Sequence, residues 1–179
     1  NLVPYEAAHS ENHPLWKRAT GQVESQMGQA LGKIYVGKYF PASSKERMKT
    51  LVANLQKALR KRIAAQDWMS EETKKNAYDK LDAFYVKIGY PDKWVDMKDL
   101  NIDPAKSYYQ NIEECRRFWN KWTVANKIGK PVDKDEWQMY PQTVNAYYDP
   151  TTNEICFPAG ILQKPFFDPS ADDAFNYGA

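Results

Sequence analysis

Residues 142–162 read QTVNAYYDPTTNEICFPAGIL, and this stretch decides the fold of the C-terminal half of the chain. Two runs rich in β-branched and aromatic residues, 143–148 and 154–157, flank 149–153, a cluster of turn-forming residues. Strand-forming runs on either side of a turn predict a β-hairpin. Pro158 has no backbone N–H to donate to a strand ladder, so the second strand is expected to end there.

The residues before the hairpin carry the periodicity of long amphipathic helices, with apolar side chains three and four positions apart. A first helix is predicted from Leu15 to about Gly37. A second opens with Ser43, whose spacing to Glu46 is that of a capping box, and runs to about Gln66. The N-terminal half is therefore predicted to be helical.

Two further helices follow, separated by a segment that contains helix breakers. Ser70 is placed to cap the third helix, because two carboxylates follow it in the first turn. Gly89 and Pro91 then interrupt the pattern, so 86–94 is predicted to cross the surface as a short extended connection. Asp103, which is followed by proline, is predicted to cap a long fourth helix.

The predicted fold class is mainly α: a bundle of four or so long helices followed by the β-hairpin. The chain has 42% apolar and 14% aromatic residues, which is enough to fill a core. The aromatic residues recur at helical spacing, so we interpret them as core side chains.

The charge balance gives no reason to expect a polyanionic partner. The sequence contains 25 Lys or Arg and 23 Asp or Glu, a formal net charge of +2. It shows neither a nucleic-acid recognition motif nor an apolar run of membrane-spanning length. We therefore predict that this chain binds no nucleic acid and makes no membrane contact.

The candidate metal ligands are poorly spaced for a metal site. His9 and His13 would share one face of a helix, but Pro14 disfavours helical geometry at His13, so we interpret the pair as part of a solvated loop. Cys115 and Cys156 fit no zinc spacing and are predicted to pack as small apolar side chains. No metal ligand and no catalytic residue is assigned.

Several short blocks around the hairpin resemble the neprilysin family of zinc metallopeptidases. They are VNAYY at 144–148, NEI at 153–155, FPAGILQ at 157–163, PFF at 165–167 and NYG at 176–178. In that family these blocks lead directly into the helix that bears the zinc motif H-E-x-x-H, which this sequence does not contain. The resemblance therefore implies a segment of a zinc endopeptidase that stops just before the metal site.

The resemblance extends upstream and implies a division of the chain. Similar blocks are GKIYV at 32–36, YFP at 39–41, WM at 68–69 and IGYPDKW at 88–94. By analogy, residues 1–103 resemble the end of the family's helical lid domain. Residues 104–179 resemble the α+β beginning of a gluzincin catalytic domain, with a long helix and the substrate-binding hairpin.

The resemblance also implies where a peptide substrate binds. In the family the Asn-Ala of the hairpin motif contacts the peptide backbone, which points to Asn145 and Ala146; an Ile and a Phe line the pocket for the residue after the scissile bond, which points to Ile161 and Phe166. An asparagine carboxamide offers both a donor and an acceptor to a peptide backbone. The alternatives are a local hydrogen bond for Asn145 and core packing for Ile161 and Phe166.

For the intact enzyme the resemblance implies zinc-dependent hydrolysis of oligopeptides in an extracytoplasmic location, whether periplasmic, secreted or on a membrane-anchored ectodomain. The segment itself is expected to bind no zinc, to be inactive alone, and to partner with peptide substrate and with the remainder of the catalytic domain. The apolar stretch 157–167 is expected to be mobile or covered by a second copy. A non-catalytic peptide-binding module and a purely structural helical module remain as alternatives.

Overall fold

The computed structural model describes residues 12–179, which divide into two compact units. Unit 1 contains the described residues through Leu31 together with Asp96–Lys130, and unit 2 contains Gly32–Val95 together with Pro131–Ala179. The described residues form five helices and one three-stranded sheet. The predicted mainly α fold class is confirmed.

Helices make up about half of the chain. Their bounds are α1 Leu15–Tyr39, α2 Ala42–Ala64, α3 Glu71–Asp82, α4 Tyr108–Asn126 and α5 Asp173–Gly178. The strands are β1 Tyr85–Gly89, β2 Tyr147–Asp149 and β3 Glu154–Pro158. Helix α1 is broken at Met27, whose φ of −132° and ψ of 29° are not helical. Within residues 12–179, none of the helices combines the length and apolar character needed to cross a lipid bilayer.

In unit 1, side-chain hydrogen bonds cap the start of α4, and a further one joins α4 to the first part of α1. Ser107 and Gln110 form a capping box at the start of α4, with Ser107 Oγ accepting from the Gln110 amide at 3.3 Å and Gln110 Oε1 accepting from the Ser107 amide at 2.8 Å. Further along α4, Trp119 Nε1 donates to the Gln26 carbonyl at 2.9 Å, next to the break in α1. Cys115 is buried in α4, as predicted for a small apolar side chain.

Two of the predicted helix caps are wrong. Helix α4 starts after Ser107 rather than after Asp103, whose carboxylate instead accepts a backbone hydrogen bond within the preceding turn. Helix α2 starts directly after Pro41 without a side-chain cap, so Ser43 lies inside the helix. The cap predicted for α3, Ser70, is confirmed. Several polar residues near a helix start satisfy the same capping preference, and packing decides which of them is used.

Strand β3 is the central strand of the sheet, whose order is β1-β3-β2. Strand β1 pairs with β3 in parallel, with Tyr85 opposite Glu154. Strand β2 pairs with β3 in the antiparallel direction, with Tyr147 opposite Cys156. The predicted hairpin is therefore present, and its first strand is shorter than predicted.

The prediction that 86–94 is only a surface connection is wrong, because its first part belongs to β1. Ile88 is 2% exposed, and Gly89 is the last residue of the strand. Gly89 has a φ of +75°, and a Cβ built there would lie 2.5 Å from the Phe40 ring. A strand that pairs with a distant part of the chain has no partner in its local sequence, so local periodicity did not reveal it.

The core of unit 2 forms where α2 meets the sheet and the segment after β3. Its buried members are Phe40, Met48, Leu51, Val52, Ile88, Ala159, Leu162 and Phe167. Ala159, Leu162 and Phe167 are only 0%, 5% and 2% exposed. The expected cover by a second copy is therefore wrong for these three residues, because their own chain buries them, and the alternative that 157–167 is mobile stays a prediction.

The turn after β3 lies tightly against the residues that precede β2. The Gly160 amide donates to the Pro141 carbonyl at 2.7 Å. A Cβ on residue 160 would lie 2.4 Å from the Gln142 carbonyl oxygen and 2.6 Å from that of Thr143. Because both neighbours are backbone atoms, only glycine fits here.

We predict that Gly160→Ala destabilises the chain by about 1–3 kcal/mol, because the added methyl group would overlap backbone that cannot move aside. Gly37→Ala is the matched control: a Cβ at this position in α1 has no neighbour within 4 Å, so stability should be unchanged or rise by up to about 1 kcal/mol. Urea denaturation of both variants measures the difference. Equal urea midpoints for Gly160→Ala and the unmodified chain would contradict the close approach of residue 160 to the Gln142 and Thr143 carbonyl oxygens.

Candidate functional site

The candidate site is the outer edge of β2 together with the residues that lead into it. Within residues 12–179, β2 pairs with β3 alone, so its other side presents backbone groups that no strand covers. Asn145 and Ala146 directly precede β2; Asn145 is exposed and Ala146 is half-buried. An edge of this kind can take up an extended peptide as an additional strand.

The side chain of Asn145 is only partly engaged by its own chain. Its Oδ1 accepts a hydrogen bond from the Ala146 amide at 2.8 Å, which is the local interaction considered as the alternative to substrate binding. Within the described part of the chain, Asn145 Nδ2 has no hydrogen-bond partner. The local bond therefore restrains the carboxamide and leaves both N–H donors of Nδ2 available to a ligand.

The hairpin turn holds β2 in place from its far end. Asp149 Oδ1 accepts from the Thr151 hydroxyl at 2.6 Å and from the Thr151 amide at 2.8 Å, while Oδ2 accepts from Gln138 Nε2 at 2.8 Å. These hydrogen bonds, led by that of the Thr151 hydroxyl, hold the pKa of Asp149 below its ordinary value. At the end of the turn, Asn153 has a φ of 54° and its carbonyl accepts from the Tyr85 amide at 2.9 Å. The turn is therefore tied both to itself and to β1.

One face of the sheet carries a buried ion pair beneath this edge. Lys87 on β1 and Glu154 on β3 are 4% and 2% exposed, and Lys87 Nζ lies 2.8 Å from Glu154 Oε1. The same Oε1 accepts from the Tyr147 hydroxyl on β2 at 2.8 Å. Lys87 Nζ also donates to the Glu136 carbonyl at 2.6 Å. One connected set of polar groups therefore spans all three strands.

Sequence reasoning missed this set of residues. A lysine and a glutamate in strand-like segments ordinarily indicate the solvent side of a sheet. Lys87 and Glu154 come together only through the parallel pairing of β1 with β3. The signal available in the sequence was a charge beside apolar residues: Lys87 stands between Val86 and Ile88, and Glu154 directly precedes Ile155.

Burial also sets the chemistry of the two titratable groups next to the pair. Desolvation, followed by the hydrogen bond to Glu154, raises the pKa of Tyr147 far above its ordinary value, so the hydroxyl stays a proton donor. Desolvation raises the pKa of Cys156 to about 12. The Cys156 thiol is 0% exposed and uncharged at neutral pH, which agrees with the prediction that it packs as a small apolar group.

The two residues proposed for a substrate pocket lie in different environments. Ile161 is half-buried and packs against the core cluster, so core packing accounts for part of its surface. It directly follows Gly160, whose amide bonds Pro141 just upstream of Asn145. Phe166 is 53% exposed in the next turn. The contacts of the described residues bring Ile161 towards the Asn145 segment and do not link Phe166 to it.

The described residues do not fit a zinc centre. Between residues 12 and 179, no group of three or more His, Cys, Asp or Glu side chains is arranged to hold a metal ion. The pair considered in the sequence cannot be assessed as a pair, because His9 lies outside the described residues.

We predict that Asn145→Ala changes the free energy of unfolding by less than about 0.5 kcal/mol, because the side chain is exposed and its one bond is to the adjacent residue. Asn176→Ala is the matched control. Asn176 is buried, and its carboxamide accepts from the Asp168 amide at 2.9 Å and donates to the Asp168 carbonyl at 3.0 Å. Its loss should cost about 1–3 kcal/mol. Equal destabilisation of the two variants in urea denaturation would show that Asn145 supports the fold rather than standing free for a ligand.

Comparison with known proteins identifies the family. Two models of peptidase family M13 match the chain, at residues 5–91 and 145–179. Endothelin-converting enzyme 1 of Homo sapiens is 40% identical over 172 residues, which is 92% of this chain and 22% of that protein. Neprilysin-1 of Caenorhabditis elegans is 37% identical over 177 residues, which is 94% of this chain and 23% of that protein.

A solved structure agrees with these relatives. The zinc metalloprotease Zmp1 of Mycobacterium tuberculosis, in its open state, matches 95% of this chain and 26% of its own with a TM-score of 0.88 and 49% identity. The chain thus spans about a quarter of the length of the relatives it matches. Together the two family models match more than half of its residues. The resemblance to the neprilysin family is confirmed, and the chain belongs to peptidase family M13.

Proposed function

We propose that the polypeptide carrying this chain is a zinc-dependent endopeptidase that hydrolyses oligopeptides. In this proposal the chain contributes lid helices and the edge strand that holds the substrate backbone. The observation that carries it is the uncovered edge of β2, entered through the exposed Asn145, in a member of peptidase family M13.

The proposed division of the chain follows the family resemblance. Residues 1–103 belong to the helical lid domain, and residues 104–179 begin the catalytic domain. The separation of the two family-model matches, 5–91 and 145–179, supports a boundary between them.

The proposed mode of binding is the addition of the substrate as a strand beside β2. Asn145 Nδ2 donates to a peptide carbonyl, and the small side chain of Ala146 leaves the backbone accessible. Each such hydrogen bond contributes about 0.5–1.5 kcal/mol net, and none of them reads the substrate's side chains. We assign the preference among substrates to the apolar side chains of Ile161 and Phe166. Two substrates that differ by one methylene group at this pocket differ by about 1–3 kcal/mol in binding free energy.

The proposed cofactor of the whole enzyme is zinc, which is supported by membership of a metallopeptidase family. Because the described residues do not fit a zinc centre, we assign the metal ligands to the remainder of the catalytic domain, which is also the proposed partner of this chain. Exposed Leu55 and Leu59, beside an apolar groove of about 420 Å³ in unit 2, support such a partner. An extracytoplasmic location is proposed on the family resemblance.

We predict that Asn145→Ala lowers kcat/KM of the whole polypeptide about two- to tenfold on an internally quenched oligopeptide, because a hydrogen bond to the substrate backbone is lost. Asn120→Ala, which removes an exposed asparagine from α4, is the matched control and should leave kcat/KM unchanged. Steady-state kinetics of both variants, with and without a zinc chelator, measures their zinc-dependent kcat/KM.

The 179-residue chain alone should give no zinc-dependent turnover in the same assay. Turnover by the isolated chain that is lost in a His9→Ala, His13→Ala double variant would contradict the assignment of the metal site to other residues. Equal kcat/KM for the Asn145→Ala and Asn120→Ala variants would contradict the proposal that Asn145, at the edge of β2, binds the substrate backbone.

A further inference from the structure

We propose that Lys87, Glu154 and Tyr147 form a positioning network that fixes where Asn145 and Ala146 meet the substrate. The inference rests on the proposed function, since it concerns the same strand edge. The network lies under the edge and acts through it: Lys87 and Glu154 are buried and Tyr147 is half-buried. The three are therefore positioning residues and not catalytic ones.

The register of the sheet places the three side chains on one face. Lys87 on β1 lies opposite Cys156 on β3, and Tyr147 on β2 lies opposite the same Cys156. Glu154 is two residues before Cys156 on the same strand, so its side chain points to the same face. Glu154 Oε1 is thus placed to accept from both neighbouring strands, at 2.8 Å from Lys87 Nζ and 2.8 Å from the Tyr147 hydroxyl.

Strand β2 needs such an attachment because it is short and has one open side. It contains three residues and pairs with β3 alone among the described residues. The Tyr147 hydroxyl adds a directional bond to the central strand, two residues after Asn145. A rotation or shift of β2 that broke this bond would also displace Asn145 and Ala146.

Lys87 keeps the acceptor in place. Its ammonium group holds Glu154 Oε1 at 2.8 Å and is itself anchored to the Glu136 carbonyl at 2.6 Å. Glu136 lies in the segment before the hairpin, so the network ties β1, β2, β3 and that segment together. The Glu154 oxygen that accepts from Tyr147 is therefore also held by Lys87 from the β1 strand.

Orientation accounts for this arrangement better than stability does. A buried ion pair is often no more stabilising than apolar residues of the same volume. Apolar contacts, however, tolerate small shifts of a short strand, whereas a hydrogen bond of fixed length does not. A slip of one residue would turn each side chain of β2 to the other face of the sheet. A directional bond at Tyr147 opposes that slip.

Tyr148 provides a matched comparison on the same strand. Its side chain points to the opposite face, where its hydroxyl donates to Asn153 Oδ1 at 3.2 Å within the hairpin itself. Its ring stacks on Phe84 with centroids 6.0 Å apart. Removing the Tyr148 hydroxyl therefore breaks a tyrosine hydrogen bond on the same strand without touching Glu154.

The test compares Tyr147→Phe with Tyr148→Phe in the whole polypeptide, using an internally quenched oligopeptide. The expected result for Tyr147→Phe is a KM raised about three- to tenfold with kcat within about twofold, because the hydrogen bond to the Glu154 carboxylate that places the edge is lost. Amide hydrogen exchange at 145–149 should be faster, and the KM of Tyr148→Phe should rise less than that of Tyr147→Phe, because the bond to Glu154 is kept. A Tyr147→Phe variant with a lower thermal midpoint and an unchanged KM would show a merely structural role and overturn the proposal.

A double variant tests whether the residues act as one network. If Tyr147→Phe and Glu154→Gln act through the same bond, the KM of the double variant will be lower than the product of the separate effects predicts. Full multiplication of the two effects would overturn the proposal.

Asn145→Ala, measured in parallel, separates the positioning network from the proposed function. If it still lowers kcat/KM while Tyr147→Phe leaves KM unchanged, only the positioning network is wrong. If Asn145→Ala also has no effect, the proposed function is wrong too.

Discussion

The parallel pairing of β1 with β3 is the constraint on which the rest of unit 2 depends. Strand β1 directly follows α3, whereas β3 belongs to the hairpin near the end of the chain. Their pairing forces the helices and the hairpin to share one core, in which Ile88 of β1 packs with Leu162 and Phe167 from the segment after β3. Burying each of these side chains is worth about 1.5–3 kcal/mol, so this apolar face supplies much of the unit's stability.

The opposite face of the same sheet has a different role. There the pairing brings Lys87 to Glu154, and Glu154 in turn receives Tyr147 from the edge strand. The apolar face holds β1 and β3 to α2, while the polar face orients β2, the edge strand that directly follows Asn145 and Ala146. A backbone-binding edge has to be firmly placed, because the hydrogen bonds it makes depend on distance and angle.

The sequence predicted what local patterns determine and missed what distant pairing determines. Periodicity and turn-forming residues predicted the hairpin, the first three helices and the Ser70 cap. Periodicity did not reveal β1, since its partner strand lies in another part of the chain, and for the same reason the sequence did not single out Lys87 and Glu154. The Asn145 and Ala146 positions came from the family resemblance, and the local hydrogen bond of Asn145 was foreseen only as an alternative to substrate binding.

We propose that the edge of β2 holds an extended peptide while other residues of the whole polypeptide carry out the cleavage. A structure of the whole polypeptide bound to a non-cleavable substrate peptide tests this most directly. We expect an extended peptide beside β2, with Asn145 Nδ2 about 2.7–3.2 Å from one of its carbonyl oxygens. A peptide bound elsewhere, with the edge of β2 covered by another segment of the polypeptide, would contradict it.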